Sequence, residues 1–188
     1  MPSSLKITIG ILALITLIFL LARFSGGSFS LLLNGLSTKT EPFRSGGTSA
    51  SVGGVAPYFE LSDLGGSRVR LSDLVSVPLI ITFWATWQEE GADQIKILDD
   101  YTIQHPQGLF KIISINNQED KSAVMSFIRR GGYNVPVLLD QTGATGKSYG
   151  IETLPTSIFI DKNGVIKEIF VGIMSEKMIM DKMEKILR

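Results

Sequence analysis

The residues best placed to do chemistry lie in Phe83-Trp84-Ala85-Thr86-Trp87-Gln88-Glu89-Glu90-Gly91, an apolar run that ends in an aromatic, an amide, two carboxylates and a glycine. Glu89 and Glu90 open a helical pattern, so they stand in its first turn. There the free N–H groups and the positive end of the dipole stabilise negative charge by about 0.3–1 kcal/mol each. Two readings stay open. Either the carboxylates only stabilise the helix, or Trp87, Gln88 and Glu89 line a recognition groove in which Gln88 hydrogen-bonds a partner's backbone. The chain has no cysteine, which removes disulfides, thiolate metal sites and every reaction that uses a protein thiol as nucleophile. His105, the sole histidine, has no ligand cluster beside it and reads as a helix-terminal surface residue, so no metal is expected. Gly146-Lys147-Ser148 follows a strand pattern, but a phosphate loop needs glycine five positions before Gly146, where Gln141 stands; no nucleotide is expected. Asp99-Asp100 and Glu119-Asp120 lack a partner acid across a cleft and read as solvated surface.

The elements that must position these residues follow from pattern. Phe59 to Leu64 and Val69 to Leu74 flank Gly65-Gly66, a hairpin signal. Pro78 to Ala85 is a continuous apolar run, as expected of a strand buried on both faces. A helix is predicted over Glu89 to Gln104, then a strand over Leu109 to Ile115. Asp120 caps a further helix with Val124, Phe127 and Ile128 on one face, stopped at Gly131. Val135 to Leu139 is a strand, and a short helix covers Gly143 to Tyr149. Thr156 to Ile160 and Val165 to Val171 form a hairpin around Asn163-Gly164. Ser175 caps a last helix with Ile179, Met183, Ile186 and Leu187 inward, and Met174, Met178, Met180 and Met183 read as core filling. The sum is an α/β sandwich with a mixed sheet.

Residues 1–56 carry four basic and one acidic group, and 57–188 carry 14 and 17; neither is a nucleic-acid footprint. Ile7 to Ala22 is uncharged and apolar, bracketed by Lys6 and Arg23, whose long side chains extend the span from Leu5 to Phe24 towards the ~20 residues a membrane helix needs. A cleaved signal peptide wants a small-residue site, which Leu21-Ala22-Arg23-Phe24 does not provide. Residues 1–24 therefore read as an uncleaved anchor. Basic residues on both sides leave its orientation undecided. Gly, Ser and Thr make 17 of the 32 residues from 25 to 56, a flexible tether reaching on the order of 30 Å. Residues 57–188 form the domain.

Ala56-Pro57-Tyr58-Phe59-Glu60-Leu61, Leu71-Ser72-Asp73-Leu74, Phe83-Trp84-Ala85-Thr86-Trp87, Val135-Pro136-Val137-Leu138-Leu139-Asp140, Tyr149-Gly150-Ile151, and Leu154-Pro155-Thr156 leading into Phe159-Ile160-Asp161-Lys162-Asn163-Gly164 resemble the thioredoxin-like redoxins. The resemblance is closest to the membrane-anchored thiol–disulfide oxidoreductases of the TlpA/ResA type. It implies a thioredoxin-like α/β fold, a mixed central sheet with helices on both faces, preceded by an N-terminal transmembrane helix. It also implies a domain outside the cytoplasm, which tips the anchor towards N-terminus inside.

In that family a Trp-Cys-x-x-Cys motif follows FWAT. Here the matching positions are Trp87, Gln88, Glu89, Glu90 and Gly91, so both cysteines are replaced. An amide is not a nucleophile towards sulfur and glycine has no side chain, which excludes disulfide exchange and thiol peroxidase action by this chain. Pro155 matches the family's cis-proline, and Leu154–Pro155 is expected cis. Thr82 falls where classical thioredoxins bury a carboxylate. The expectation is a membrane-tethered, extracytoplasmic, redox-inactive domain. It binds an extracytoplasmic or membrane protein through a groove of Trp87, Gln88, Glu89, Glu90, Gly91, Leu154 and Pro155, with no cofactor, metal, nucleotide or nucleic acid. The alternatives are the family's oxidoreductase role, in cytochrome c maturation or envelope thiol redox, and a purely structural subunit of a membrane complex.

Overall fold

The computed structural model describes residues 50–105 and 108–188; the anchor at 1–24 and the tether up to residue 49 lie outside the described residues. Among the described residues no helix is long and apolar enough to cross a membrane.

The organising strand is β3 (Leu79–Trp84), all six residues of which are buried. Its alternate side chains serve two cores. Ile80 and Trp84 face one cluster, while Leu79, Ile81 and Phe83 face the other. Around it stand β1 (Glu60–Asp63), β2 (Arg68–Arg70), β4 (Lys111–Asn117), β5 (Val137–Asp140), β6 (Thr156–Ile160) and β7 (Ile166–Val171). They form one sheet in the order β2-β1-β5-β4-β3-β6-β7. β3, β4 and β5 are parallel neighbours, and β1, β6 and the outer strands join antiparallel. The helices are α1 (Leu71–Leu74), α2 (Glu89–Gln104), α3 (Lys121–Gly131), α4 (Ala144–Ser148) and α5 (Glu176–Leu187).

The crossovers β3-α2-β4 and β4-α3-β5 step across the sheet in one direction, so right-handedness places both helices on one face. Ile95 and Leu98 of α2, Val124 and Ile128 of α3, and Ile179 and Met183 of α5 accordingly share a core with Trp84. Leu71 of α1 and Tyr149 at the end of α4 belong to the opposite core. The mixed sheet with helices on both faces is therefore the observed architecture.

Several local expectations are corrected. The segment Val69–Leu74 is not one strand: pairing ends at Arg70 and Leu71–Leu74 forms a helical turn, which buries Leu71 and leaves Asp73 accepting from the Arg70 N–H. The α3 stop is Gly132, in the left-handed region (φ 68°), one residue beyond Gly131, and Asp120 stands at the helix start without a side-chain capping bond. Ser175 does cap α5, its Oγ accepting the Met178 N–H, but Leu187 is 40% exposed instead of inward, and Met180 is 51% exposed. Residues 53–56, assigned to the tether, are bonded into the domain. Gly53 N–H donates to Ile166 O at 2.8 Å, Val55 bridges Val165, and Ala56 is buried.

Asp99 is the clearest departure. It is not solvated surface but 4% exposed within α2, and its Oδ1 accepts the backbone N–H groups of Asn134 (2.5 Å) and Val135 (2.8 Å). The carboxylate satisfies two donors in the turn that feeds β5, tying α2 to that turn across their shared core.

At the outer hairpin, Glu60 accepts from Arg68 (2.5 Å) and Arg70 (2.8 Å) across the β1–β2 pair. These bonds, that to Arg68 foremost, lower its pKa from an ordinary 4.5 to about 2. A carboxyl depressed in the folded state stabilises above its unfolded pKa and loses that contribution as pH falls through the folded one. The expected result is a Glu60 carboxyl carbon that titrates near pH 2 by NMR and moves back towards 4.5 in Arg68→Ala. The exposed position makes the effect weaken with salt.

Candidate functional site

The parallel strands β3, β4 and β5 end at one edge of the sheet, and the antiparallel β6 begins there. Phe83 is the register partner of Thr156, so the Ala85–Gln88 turn and the Leu154–Pro155 bond emerge side by side at that edge. The structure thus brings together the two sequence segments predicted to form the site. Leu154–Pro155 is cis, as expected.

The turn between β3 and α2 is held from below. Thr86 donates its N–H and its Oγ1–H to the two oxygens of Glu119, both at 2.6 Å, and Asn116 Nδ2 donates to Glu119 at 2.7 Å. Glu119, expected at the surface, is a half-buried carboxylate that fixes this turn. With the turn fixed, Trp87 projects outward and is 71% exposed, unusual for so large an apolar side chain. Gln88 is the N-cap of α2 but makes no side-chain capping bond, and its amide oxygen is enclosed without a partner. Glu89 and Glu90 are exposed in the first turn. The sequence showed an acid just after β4; that it accepts from Thr86, 33 residues away, was beyond a local pattern.

Gly91 decides what the site can still become. A Cβ built there would lie 2.8 Å from the Ala85 carbonyl oxygen and 3.4 Å from the Ala85 nitrogen, and both are backbone atoms of the fixed turn. The helix has settled against the turn more closely than any side chain permits. The thiol position is therefore empty and also closed.

On the other side, Pro155 is buried and its carbonyl accepts the Gly172 N–H at 2.8 Å, while Thr156 Oγ1 donates to Thr153 O at 2.6 Å. Among the described residues the N–H and C=O of Leu154 carry no hydrogen bond. Its side chain is half-buried. An unpaired peptide unit beside an exposed tryptophan can take an extended strand by main-chain bonding.

Behind the site, Thr82 and Ser157 share a buried hydroxyl bond of 2.8 Å, so the position of the classical buried carboxylate is a satisfied neutral pair. Gln94, which sequence reasoning did not single out, is fully buried in α2 and accepts the Met174 N–H at 2.6 Å, pinning the helix to the β7–α5 connection. The Gly146 N–H is taken by Asp140 Oδ2 at 2.8 Å, a carboxylate where a phosphate loop would need an anion site.

The AhpC/TSA family model matches residues 52–169, spanning both halves of this edge. The chain belongs to the AhpC/TSA family. Among AhpC/TSA relatives, it is similar to the thiol-disulfide oxidoreductase ResA of Geobacillus thermodenitrificans, 35% identical over 140 residues covering 74% of this chain and 80% of that one. It is equally similar to the ResA of Bacillus subtilis, 35% identical over 142 residues covering 75% and 79%. The AhpC/TSA domain also superposes on StoA from Bacillus subtilis with a TM-score of 0.59 at 21% identity, covering 71% of this chain and 98% of that one. The exposed lipoprotein thioredoxin of Streptococcus pneumoniae gives 0.61 at 24% identity, covering 68% and 98%. These two show the thioredoxin-like fold. The AhpC/TSA chain described here is a thioredoxin-like redoxin domain related to ResA, without cysteine.

Proposed function

We propose that this chain is a membrane-tethered, extracytoplasmic redoxin that is redox-inactive and binds a partner protein through the edge formed by Trp87, Gln88 and the Leu154–Pro155 bond. The observation that carries this reading is the closure at Gly91 next to an open binding edge. The second thiol position lies under the Ala85 carbonyl, yet Trp87 remains exposed and Leu154 keeps an unpaired peptide unit. Tryptophan is enriched at protein interfaces, and here it stands beside a backbone edge that can pair. Gln88 stands where a mixed disulfide would otherwise form and has an amide NH2 to offer a partner's backbone, its oxygen being enclosed.

Tethering rests on the uncharged run Ile7 to Ala22 and the Gly/Ser-rich segment after it. The orientation rests on the resemblance to anchored oxidoreductases. The partner is accordingly a membrane or extracytoplasmic protein that presents an extended segment.

Redox inactivity is tested by insulin-disulfide reduction with the purified chain and dithiothreitol. The expected rate equals the protein-free blank. Turnover above the blank in clean buffer would overturn this half of the reading.

A further inference from the structure

On the α4 face of the sheet, beside the cis-proline loop, a cleft of about 360 Å³ opens between Ala50, Tyr149, Ile151, Glu152, Ile169 and Val171. Its lining is mixed, with Thr153 and Thr156 beside the apolar side chains. Tyr149 is buried, Ile151 and Ile169 are half-buried, and Val171 is 57% exposed. Glu152 stands exposed on the rim and makes no ion pair among the described residues.

Ala50, which forms one wall, is the first described residue, and its N–H reaches Ser148 O at 3.3 Å. The preceding chain is thus joined to the domain at a wall of this cleft. From Ser37 to Ser51 that chain contains a single large apolar side chain, Phe43, and the next residue is Arg44. Six residues separate Phe43 from Ala50, enough to span about 20 Å when extended, and Gly46-Gly47 permits the chain to turn back.

We infer that the cleft is the seat of the chain's own tether, with Phe43 packed on Ile151, Ile169 and Val171 and Arg44 paired with Glu152. Covalent attachment sets the local concentration of this occupant in the millimolar range, and a six-residue loop has little closure entropy to overcome. The charge order matches, a cation one residue after the aromatic against the one unpaired acid on the rim. The inference stands independently of the partner-binding reading.

The cysteine-free sequence makes the test clean, because introduced pairs are the only thiols. In the full chain, Arg44→Cys with Glu152→Cys keeps Phe43 and removes only the ion pair. Under diamide, this variant is expected to form an intrachain disulfide at least tenfold faster than Arg44→Cys with Lys167→Cys, which lies at the other end of β7. Adding Phe43→Ser should slow it to the control rate. In a second readout, Arg44→Glu should raise amide exchange at 151–152 and 169–171, and Arg44→Glu with Glu152→Arg should restore protection. Crosslinking no faster than the control and indifferent to Phe43→Ser would overturn the inference. Disulfides formed between chains would also overturn it, assigning the cleft to a second copy.

Discussion

Gly91→Ala is expected to destabilise the domain by about 1–3 kcal/mol, the usual cost of forcing an extra methyl into a packed site. The sign is what makes the result informative. Glycine inside a helix ordinarily costs roughly 0.5–1 kcal/mol relative to alanine, so the same substitution elsewhere stabilises. Here the added Cβ meets the Ala85 carbonyl at 2.8 Å, and Ala85 cannot withdraw freely because the following residue, Thr86, is held twice by Glu119. Urea denaturation of the wild type and Gly91→Ala, with Gly91→Cys as a second variant, measures it. A gain in stability with alanine would show that the turn yields and that the thiol position is open. It would follow that restoring cysteines at 88 and 91 is nearly free of structural cost, whereas the observed closure predicts that the restored pair loses stability before it gains activity.

Asp99→Ala is expected to cost about 1–3 kcal/mol, because it strands two N–H donors, of which that of Val135 is buried away from water. Asp99→Asn keeps an acceptor oxygen in place and should cost less than half as much, separating the geometry of the contact from its charge. The two variants are compared by the same denaturation series, with amide exchange at Asn134 and Val135 as the local readout. Equal losses in both would mean that the negative charge, not the acceptor position, holds the α2 to β5 connection. No loss in either would contradict the burial of Asp99.

Those two residues also mark where the sequence stopped being readable. β3 was legible because a strand buried on both faces leaves an uninterrupted apolar run, and the β6–β7 hairpin because Asn163-Gly164 can adopt the turn, with Gly164 at φ 79°. The site segments were legible through the resemblance of FWATW and Leu154-Pro155-Thr156, whose register brings them to one edge. What stayed hidden depends on partners far along the chain. Asp99 beside Asp100 looks like any exposed acidic pair until Val135, 36 residues on, is known to lie against it. Glu119 likewise owes its role to Thr86. The closure at Gly91 is a distance between two backbones, and a composition that lacks cysteine reports only that the thiol is gone. The Val69–Leu74 misreading has a different origin: Leu71-Ser72-Asp73-Leu74 is a single helical turn, too short for periodicity to separate from a strand end.

The central claim, that the edge around Gln88 binds a partner without redox chemistry, is tested most directly by photocrosslinking in cells. A photoreactive amino acid is placed at Gln88 and, in a separate chain, at Lys167, which is exposed at the far end of β7. The account predicts a discrete crosslinked product at Gln88, at least tenfold stronger than at Lys167 and removed by Trp87→Ala while the domain remains folded. Equal yields at the two positions, or none at Gln88, would contradict it.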